Sequence, residues 1–89
     1  MLNEIDIEVQ VLTGRRIKQL RLENDNMSQE KLAFEANLST SQISKMERGK
    51  LNTSIGALTM ICQAFGITLK EFFSEFSYPL PKKKSPKKK

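Results

Sequence analysis

The stretch Ser28–Lys50, SQEKLAFEANLSTSQISKMERGK, determines how the rest of the chain is interpreted. It holds two short helix patterns, and each follows a serine, Ser28 or Ser39, that can accept a hydrogen bond from the first helical turn. Only Asn37 and Leu38 separate the patterns, so the second helix must cross the first at a sharp angle. Asn37 tolerates the left-handed backbone that such a turn favours. The apolar contacts shared by the two helices are predicted to be Leu32, Ala36, Leu38, Ile43 and Met46. This arrangement is a helix-turn-helix.

The second helix of this motif is predicted to present polar and basic side chains to solvent. If Ile43 and Met46 face the core, the outward residues are Thr40, Ser41, Ser44, Lys45 and Arg48. Hydroxyl groups are small enough for a helix to enter a groove, and lysine can reach a guanine edge or a phosphate. None of these residues is acidic, as a surface facing phosphates requires. The pattern favours recognition of a DNA major groove, and a solvated helix face is the alternative.

The residues around the motif predict three more helices. The spacing of apolar residues favours a helix over residues 5–22, although the alternation within residues 5–11 would also suit a strand. Ser54 and Gly66 have the residue types that begin and end a fourth helix. Thr68 begins a T-x-x-E pattern that opens a fifth. We therefore predict an all-α domain of five helices.

Net charge is distributed unevenly along the 89 residues. The chain has 15 basic and 10 acidic residues, but six of the basic residues lie within Lys82–Lys89. Residues 1–81 therefore carry a net charge of −1, and the positive balance belongs to the tail. We predict a helix-turn-helix domain over residues 1–78, with its motif at 28–48, and a disordered tail rich in proline and lysine over 79–89.

Composition excludes several classes of function. The chain has no histidine and one cysteine, Cys62, which rules out a disulfide framework, a Cys/His zinc site and histidine-based catalytic triads. It shows neither paired acidic residues nor a glycine-rich phosphate loop, so we expect no enzymatic activity, no cofactor and no metal. The longest uncharged stretch, 51–69, is too polar to span a membrane. The single cysteine and the lack of a signal peptide are typical of a cytoplasmic protein.

The combined pattern Gln29-x3-Ala33-x3-Asn37-Leu38-Ser39-x3-Ile43-Ser44-x2-Glu47-x-Gly49-Lys50 resembles the Cro- and lambda-repressor-like (Xre-type) helix-turn-helix regulators. The resemblance extends over Leu12–Phe73 and implies a compact five-helix domain that binds operator DNA as a two-fold dimer. Three features depart from the family. Asn37 replaces a usual glycine, the turn at 24–26 is one residue longer, and Thr53 replaces a common proline.

The resemblance also implies roles for individual residues. Gln29 would clamp a phosphate and brace the recognition helix, and Arg21 would form an ion pair with Glu47. The implied base-contacting residues are Thr40, Ser41, Ser44 and Lys45. The implied phosphate-contacting residues are Gln29, Gln42, Arg48, Lys50 and Asn52. Ser39 is predicted first as a helix cap, with a phosphate contact as a secondary role.

Aromatic residues are concentrated near the end of the domain. Five of the six lie within fourteen residues, namely Phe65, Phe72, Phe73, Phe76 and Tyr78. A small core cannot easily enclose them all, so we predict that Phe72, Phe76 and Tyr78 contribute to a dimer interface. The alternative is that they complete the core of the monomer. Cys62 lies on the apolar face of its helix and is predicted to be a packing residue.

These observations predict a sequence-specific transcription regulator that binds double-stranded DNA as a homodimer through a recognition helix at 39–48. Two other functions remain open. The chain could be an antitoxin-type module, in which the C-terminal aromatics bind a protein partner while the motif still binds DNA. It could also bind nucleic acid without sequence preference through its lysine tail.

Overall fold

A computed structural model describes residues 4–74, with side-chain surroundings from residue 7 onward. Five helices form in this part of the chain and no strand does: α1 (Glu4–Glu23), α2 (Gln29–Ala36), α3 (Thr40–Glu47), α4 (Ile55–Phe65) and α5 (Leu69–Ser74). The all-α prediction is confirmed. The ambiguous residues 5–11 belong to α1, and the buried positions Gln10, Gly14, Ile17 and Arg21 repeat at helical spacing. The predicted tail at 79–89 lies outside the described residues.

Side-chain caps begin the four later helices, as the sequence predicted. Ser28 Oγ and Ser54 Oγ each accept a backbone N–H three residues ahead, at 3.0 Å. Ser39 forms a full capping box, because its hydroxyl accepts from the Gln42 N–H at 3.0 Å while Gln42 Oε1 accepts from the Ser39 N–H at 2.9 Å. Thr68 makes the same reciprocal pair with the residue three positions on. These local bonds fix where each helix starts.

Left-handed residues form the connections between helices. Asn37 has φ 59° and ψ 41° and ends α2, so it takes the conformation predicted from its position. The long turn after α1 places both Asp25 and Asn26 at φ 56°, which accommodates the extra residue noted in the sequence. Because aspartate and asparagine tolerate this region, the turn closes without glycine.

The core lies where α1, α2, α3 and α4 meet, and α5 closes one side of it. Its fully buried large side chains are Ile17, Leu32, Ile43, Ile61 and Phe72. The last of these corrects a prediction, because Phe72 has no exposed surface and therefore cannot form a dimer interface. Its ring stands edge-on to that of Phe73, at 5.0 Å between centroids. Phe76 and Tyr78, the other residues predicted at that interface, lie outside the described residues.

Arg16 fastens α5 to α1 in a way the sequence did not reveal. Its Nε donates to the carbonyl of Phe72 at 2.6 Å, and its Nη2 donates to the carbonyl of Glu71 at 3.0 Å. The guanidinium thus links α1 to two backbone carbonyls of α5. Nearby, burial raises the pKa of the Cys62 thiol, although the Arg16 charge acts in the opposite direction. Cys62 is buried and is part of the core, as predicted.

Asn37 provides a test of the backbone requirement at the turn. We expect Asn37→Ala to lower the free energy of unfolding by about 1 kcal/mol, because alanine pays the full steric cost of a left-handed backbone. Asn37→Gly should lower the free energy of unfolding by much less, since glycine has no Cβ. Urea denaturation of the two variants measures the difference. Equal stabilities would contradict a role for the left-handed conformation.

Candidate nucleic-acid interface

The outer face of α3 is made of hydroxyls and cations. Ile43 and Met46 are buried, so the helix is oriented as predicted. Of the four predicted base-contacting residues, Thr40, Ser41 and Lys45 are exposed and Ser44 is half-buried. They occupy adjacent positions on one helix face, because their spacing follows the turns of the helix. The structure therefore presents all four on the side of α3 that faces away from the core.

The two residues of the capping box keep hydrogen-bonding capacity toward solvent. Ser39 Oγ accepts from the Gln42 N–H, which leaves the hydroxyl proton free to donate. The Gln42 amide oxygen is used by the Ser39 N–H, which leaves the amide NH2 free. Both side chains are exposed at the N-terminus of α3, where free N–H groups and the helix dipole favour an anion. This geometry suits contact with a phosphate.

A buried carboxylate connects the recognition helix to the two helices before it. Arg21 donates to Glu47 through Nε at 2.7 Å and through Nη2 at 3.0 Å, so the predicted ion pair is present and bidentate. Gln29 Nε2 donates to Glu47 Oε1 at 2.9 Å. Arg21 also donates through Nη1 to the carbonyl of Met27 at 2.6 Å. The Arg21 side chain is only 10% exposed and the Glu47 side chain only 3% exposed.

This network has a chemical consequence for Gln29. Its amide must point Nε2 at the carboxylate of Glu47, because two oxygens facing each other would repel. The second N–H of the same NH2 group is then available at the N-terminus of α2. Gln29 is half-buried and braces α3 as the resemblance implied. The free N–H could reach a phosphate.

The loop after α3 begins with a Schellman motif. Gly49 has φ 72°, its N–H donates to the carbonyl of Met46 at 3.0 Å, and the N–H of Lys50 donates to the carbonyl of Lys45 at 2.8 Å. The side chains of Lys50 and Asn52 are exposed beyond it. Arg48 is exposed as well, and its Nε donates back to the carbonyl of Ser44 at 3.3 Å.

The cations of this surface form no ion pair with the described residues 7–74. Within residues 7–74, the ion pairs join Arg21 with Glu47 and Lys31 with Glu35. Lys45, Arg48 and Lys50 have no carboxylate partner in that part of the chain. Glu47, the one acidic residue of α3, is turned inward, so the outer face of the helix carries no negative charge. Such a surface attracts a polyanion.

Other kinds of site are not found in the described part of the chain. Residues 4–74 contain no group of three or more side chains suited to hold a metal ion. None of their helices has the length and apolarity needed to cross a membrane.

Comparison with known proteins identifies the class to which this fold and surface belong. Residues 17–72 match the family model for the helix-turn-helix, and the chain belongs to that family. Its members are DNA-binding transcription regulators.

Among its relatives are control proteins. The chain is 43% identical over 63 residues to the control protein C.BamHI of Bacillus amyloliquefaciens, a match that covers 71% of this chain and 78% of that protein. The structure of the restriction-modification controller protein C.AhdI of Aeromonas hydrophila is similar, with a TM-score of 0.70 and 33% identity. The match covers 74% of this chain and 98% of the C.AhdI chain. The controller C.Esp1396I, solved as a tetramer with its natural 35 base-pair operator, also has a TM-score of 0.70 at 33% identity. That match covers 75% of this chain and 87% of the C.Esp1396I chain.

The buried carboxylate can be tested against an exposed one. We expect Glu47→Ala to lower the free energy of unfolding by about 3–5 kcal/mol, because it leaves the Arg21 guanidinium buried without a counter-charge. The control, Glu35→Ala, breaks an exposed pair with Lys31 and should cost below about 1 kcal/mol. Thermal and urea denaturation of both variants provide the comparison. Similar losses in the two variants would contradict a structural role for Glu47.

Proposed function

We propose that this chain is a sequence-specific DNA-binding regulator of transcription that places α3 in the major groove. One observation carries the proposal. The outer face of α3 presents hydroxyls and cations that form no ion pair within residues 7–74, while Glu47, the one acidic residue of that helix, is held inside by Arg21 and Gln29. A helix of this kind can approach phosphates closely and still offer side chains to base edges.

The contacts divide into two groups. Residues on the outer face of α3 read base edges, namely Thr40, Ser41, Ser44 and Lys45. Residues at its ends and in adjacent elements hold phosphates, namely Gln29, Ser39, Gln42, Arg48, Lys50 and Asn52. The six lysines within Lys82–Lys89 add attraction to phosphates that does not depend on sequence, since lysine neutralises backbone charge without reading bases.

The relatives point to the kind of regulator. The control protein C.BamHI and the restriction-modification controller protein C.AhdI match most of this chain, and the matches also span 78% of C.BamHI and 98% of the C.AhdI structure. We therefore assign the chain a controller role, in which it occupies an operator in the cytoplasm and changes transcription without chemistry of its own. The C.Esp1396I tetramer bound to its operator supports assembly of several subunits on DNA.

We place the dimer interface on α4 instead of on Phe72. No residue of α4 is charged, although one side of the helix lies at the surface. We call this side the uncharged face, and it comprises Ile55, Gly56, Thr59, Met60 and Gln63. Ile55 is 68% exposed on it. A surface helix without charge is unusual, and a second copy of the same face would cover it around a two-fold axis.

A substitution at Ile55 tests this interface. We expect Ile55→Glu to convert the dimer to monomer, because association would bury each new carboxylate against the uncharged face of the partner subunit, where no cation pairs with it. The monomer should stay folded, since a carboxylate in the first turn of α4 is compatible with the helix dipole. Sedimentation velocity gives the mass, and circular dichroism gives the fold. The control is Phe34→Glu on α2, where the parent side chain is 86% exposed. A dimer that survives Ile55→Glu and dissociates with Phe34→Glu would place the interface on α2.

Selection of binding sites from random duplexes tests the function directly. We expect the wild-type protein to select a two-fold symmetric site with half-sites about 34 Å apart. Lys45→Ala should relax preference at one position per half-site and cost about 1–3 kcal/mol on the selected site. Lys50→Ala should weaken binding to all duplexes alike and reduce the salt dependence of binding by the equivalent of about one phosphate contact. The charge-matched control, Lys70→Ala on α5, should do neither.

Two outcomes would contradict the proposal. Selection that yields no preferred sequence would show that binding comes from charge alone. A preferred sequence that is unchanged in variants of Thr40, Ser41 and Lys45 would show that another surface reads the bases.

A further inference from the structure

The middle of α1, residues 10–14, packs against the end of α3 and the loop that follows it. A Cβ on Gly14 would lie 2.0 Å from the carbonyl oxygen of Met46, so the backbone of α1 touches the end of α3 there. One turn earlier, Val11 lies against Gly49, where an added Cβ would be 2.9 Å from Val11 Cγ2. Both contacts precede residue 17, where the family match begins.

One peptide unit in that loop is hydrogen-bonded at both of its ends. The N–H of Lys50 donates to the carbonyl of Lys45 at 2.8 Å, and the carbonyl of Gly49 accepts from Gln10 Nε2 at 3.4 Å. These two groups belong to the same peptide plane, which directly precedes the Cα of Lys50. Gln10 is 8% exposed, whereas Ile7 on the same helix is 48% exposed. The amide of Gln10 is thus turned inward onto the loop.

The end of α4 offers a comparison within the same molecule. Gly66 has φ 73°, and the N–H of Ile67 donates to the carbonyl of Cys62 at 3.0 Å, so this helix ends in the same motif as α3. Within residues 7–74, no side chain donates to the carbonyl of Gly66. A Schellman motif therefore closes without such a donor, and the bond from Gln10 is specific to the loop that carries Lys50.

We propose that Gln10 is a positioning residue for DNA binding, which holds the peptide plane between Gly49 and Lys50 so that Lys50 is presented to a phosphate. The inference rests on the proposed phosphate contact of Lys50. A side chain that is oriented before binding loses less conformational freedom on binding, and the affinity is higher for that reason. Gln10 itself touches no DNA in this scheme. The N-terminal half of α1 thereby influences affinity from outside the helix-turn-helix.

Hydrogen exchange tests the bond without DNA. Gln10→Met keeps the length and burial of the side chain but removes the donor. We expect the Lys50 amide to exchange at least about threefold faster in this variant, because its peptide plane is held at one end only. The Ile67 amide in the equivalent position of α4 should exchange at the wild-type rate. Thr13→Val, which alters another buried polar residue of α1, is the matched control and should leave both amides unchanged. Unchanged exchange at Lys50 in Gln10→Met would overturn the proposal.

A double-mutant cycle on DNA tests the functional step. Gln10→Met should weaken binding by about threefold to tenfold and lower the salt dependence toward that of Lys50→Ala. In the Lys50→Ala background the same substitution should have no further effect, because Gln10 acts through Lys50. An undiminished effect in that background would overturn the proposal, as would an unchanged salt dependence in the single variant.

The two proposals fail in distinguishable ways. If the wild-type protein binds no duplex, the proposed function fails whatever the exchange data show. If the wild-type protein binds and Lys50→Ala weakens it while Gln10→Met does not, the function stands and the positioning role of Gln10 is wrong.

Discussion

The carboxylate of Glu47 is the constraint on which the DNA-facing surface depends. It receives three hydrogen bonds, two from Arg21 on α1 and one from Gln29 on α2, so a single side chain of α3 sets the position of that helix against both. A buried ion pair is not required for stability as such, because well-packed apolar residues of similar volume often serve equally well. Its value here is geometric and electrostatic. The pair orients α3 and removes negative charge from the face that carries Lys45.

Features that depend on neighbours three or four residues away could be predicted from the sequence. The cap at Ser39 and the left-handed turn at Asn37 follow from side chains that bond their own backbone or tolerate an unusual φ. The inward direction of Ile43 and Met46 follows from helical spacing, and the outward direction of Thr40 and Lys45 follows with it. The fold and the orientation of the recognition helix can therefore be predicted from the sequence.

Contacts between residues that are distant in sequence cannot be predicted in this way. Gln10 and Gly49 are 39 residues apart, and Arg16 and Phe72 are 56 apart, so no local pattern relates them. The prediction that Phe72 lies at a dimer interface is wrong for a related reason, because its ring is buried in the core. The concentration of aromatics indicated that the core could not enclose them all, but it could not say which ring faces inward. The Arg21–Glu47 pair was predicted only because a family resemblance supplied the missing distance information.

The charge of the domain explains why a nearly neutral body can still recognise DNA. Residues 1–81 carry a net charge of −1, yet interactions at physiological salt decay over about 8 Å, so a phosphate responds to the nearest charges and not to the sum. Lys45, Arg48 and Lys50 lie within six residues of one another, and none of them is neutralised by a carboxylate in residues 7–74. The remaining charges of residues 1–81 sum to −4, so in the proposed function attraction that ignores sequence comes mainly from the lysines at 82–89. In the proposed function, discrimination between sequences then depends on the short side chains of α3, which can reach base edges only when the helix is correctly oriented.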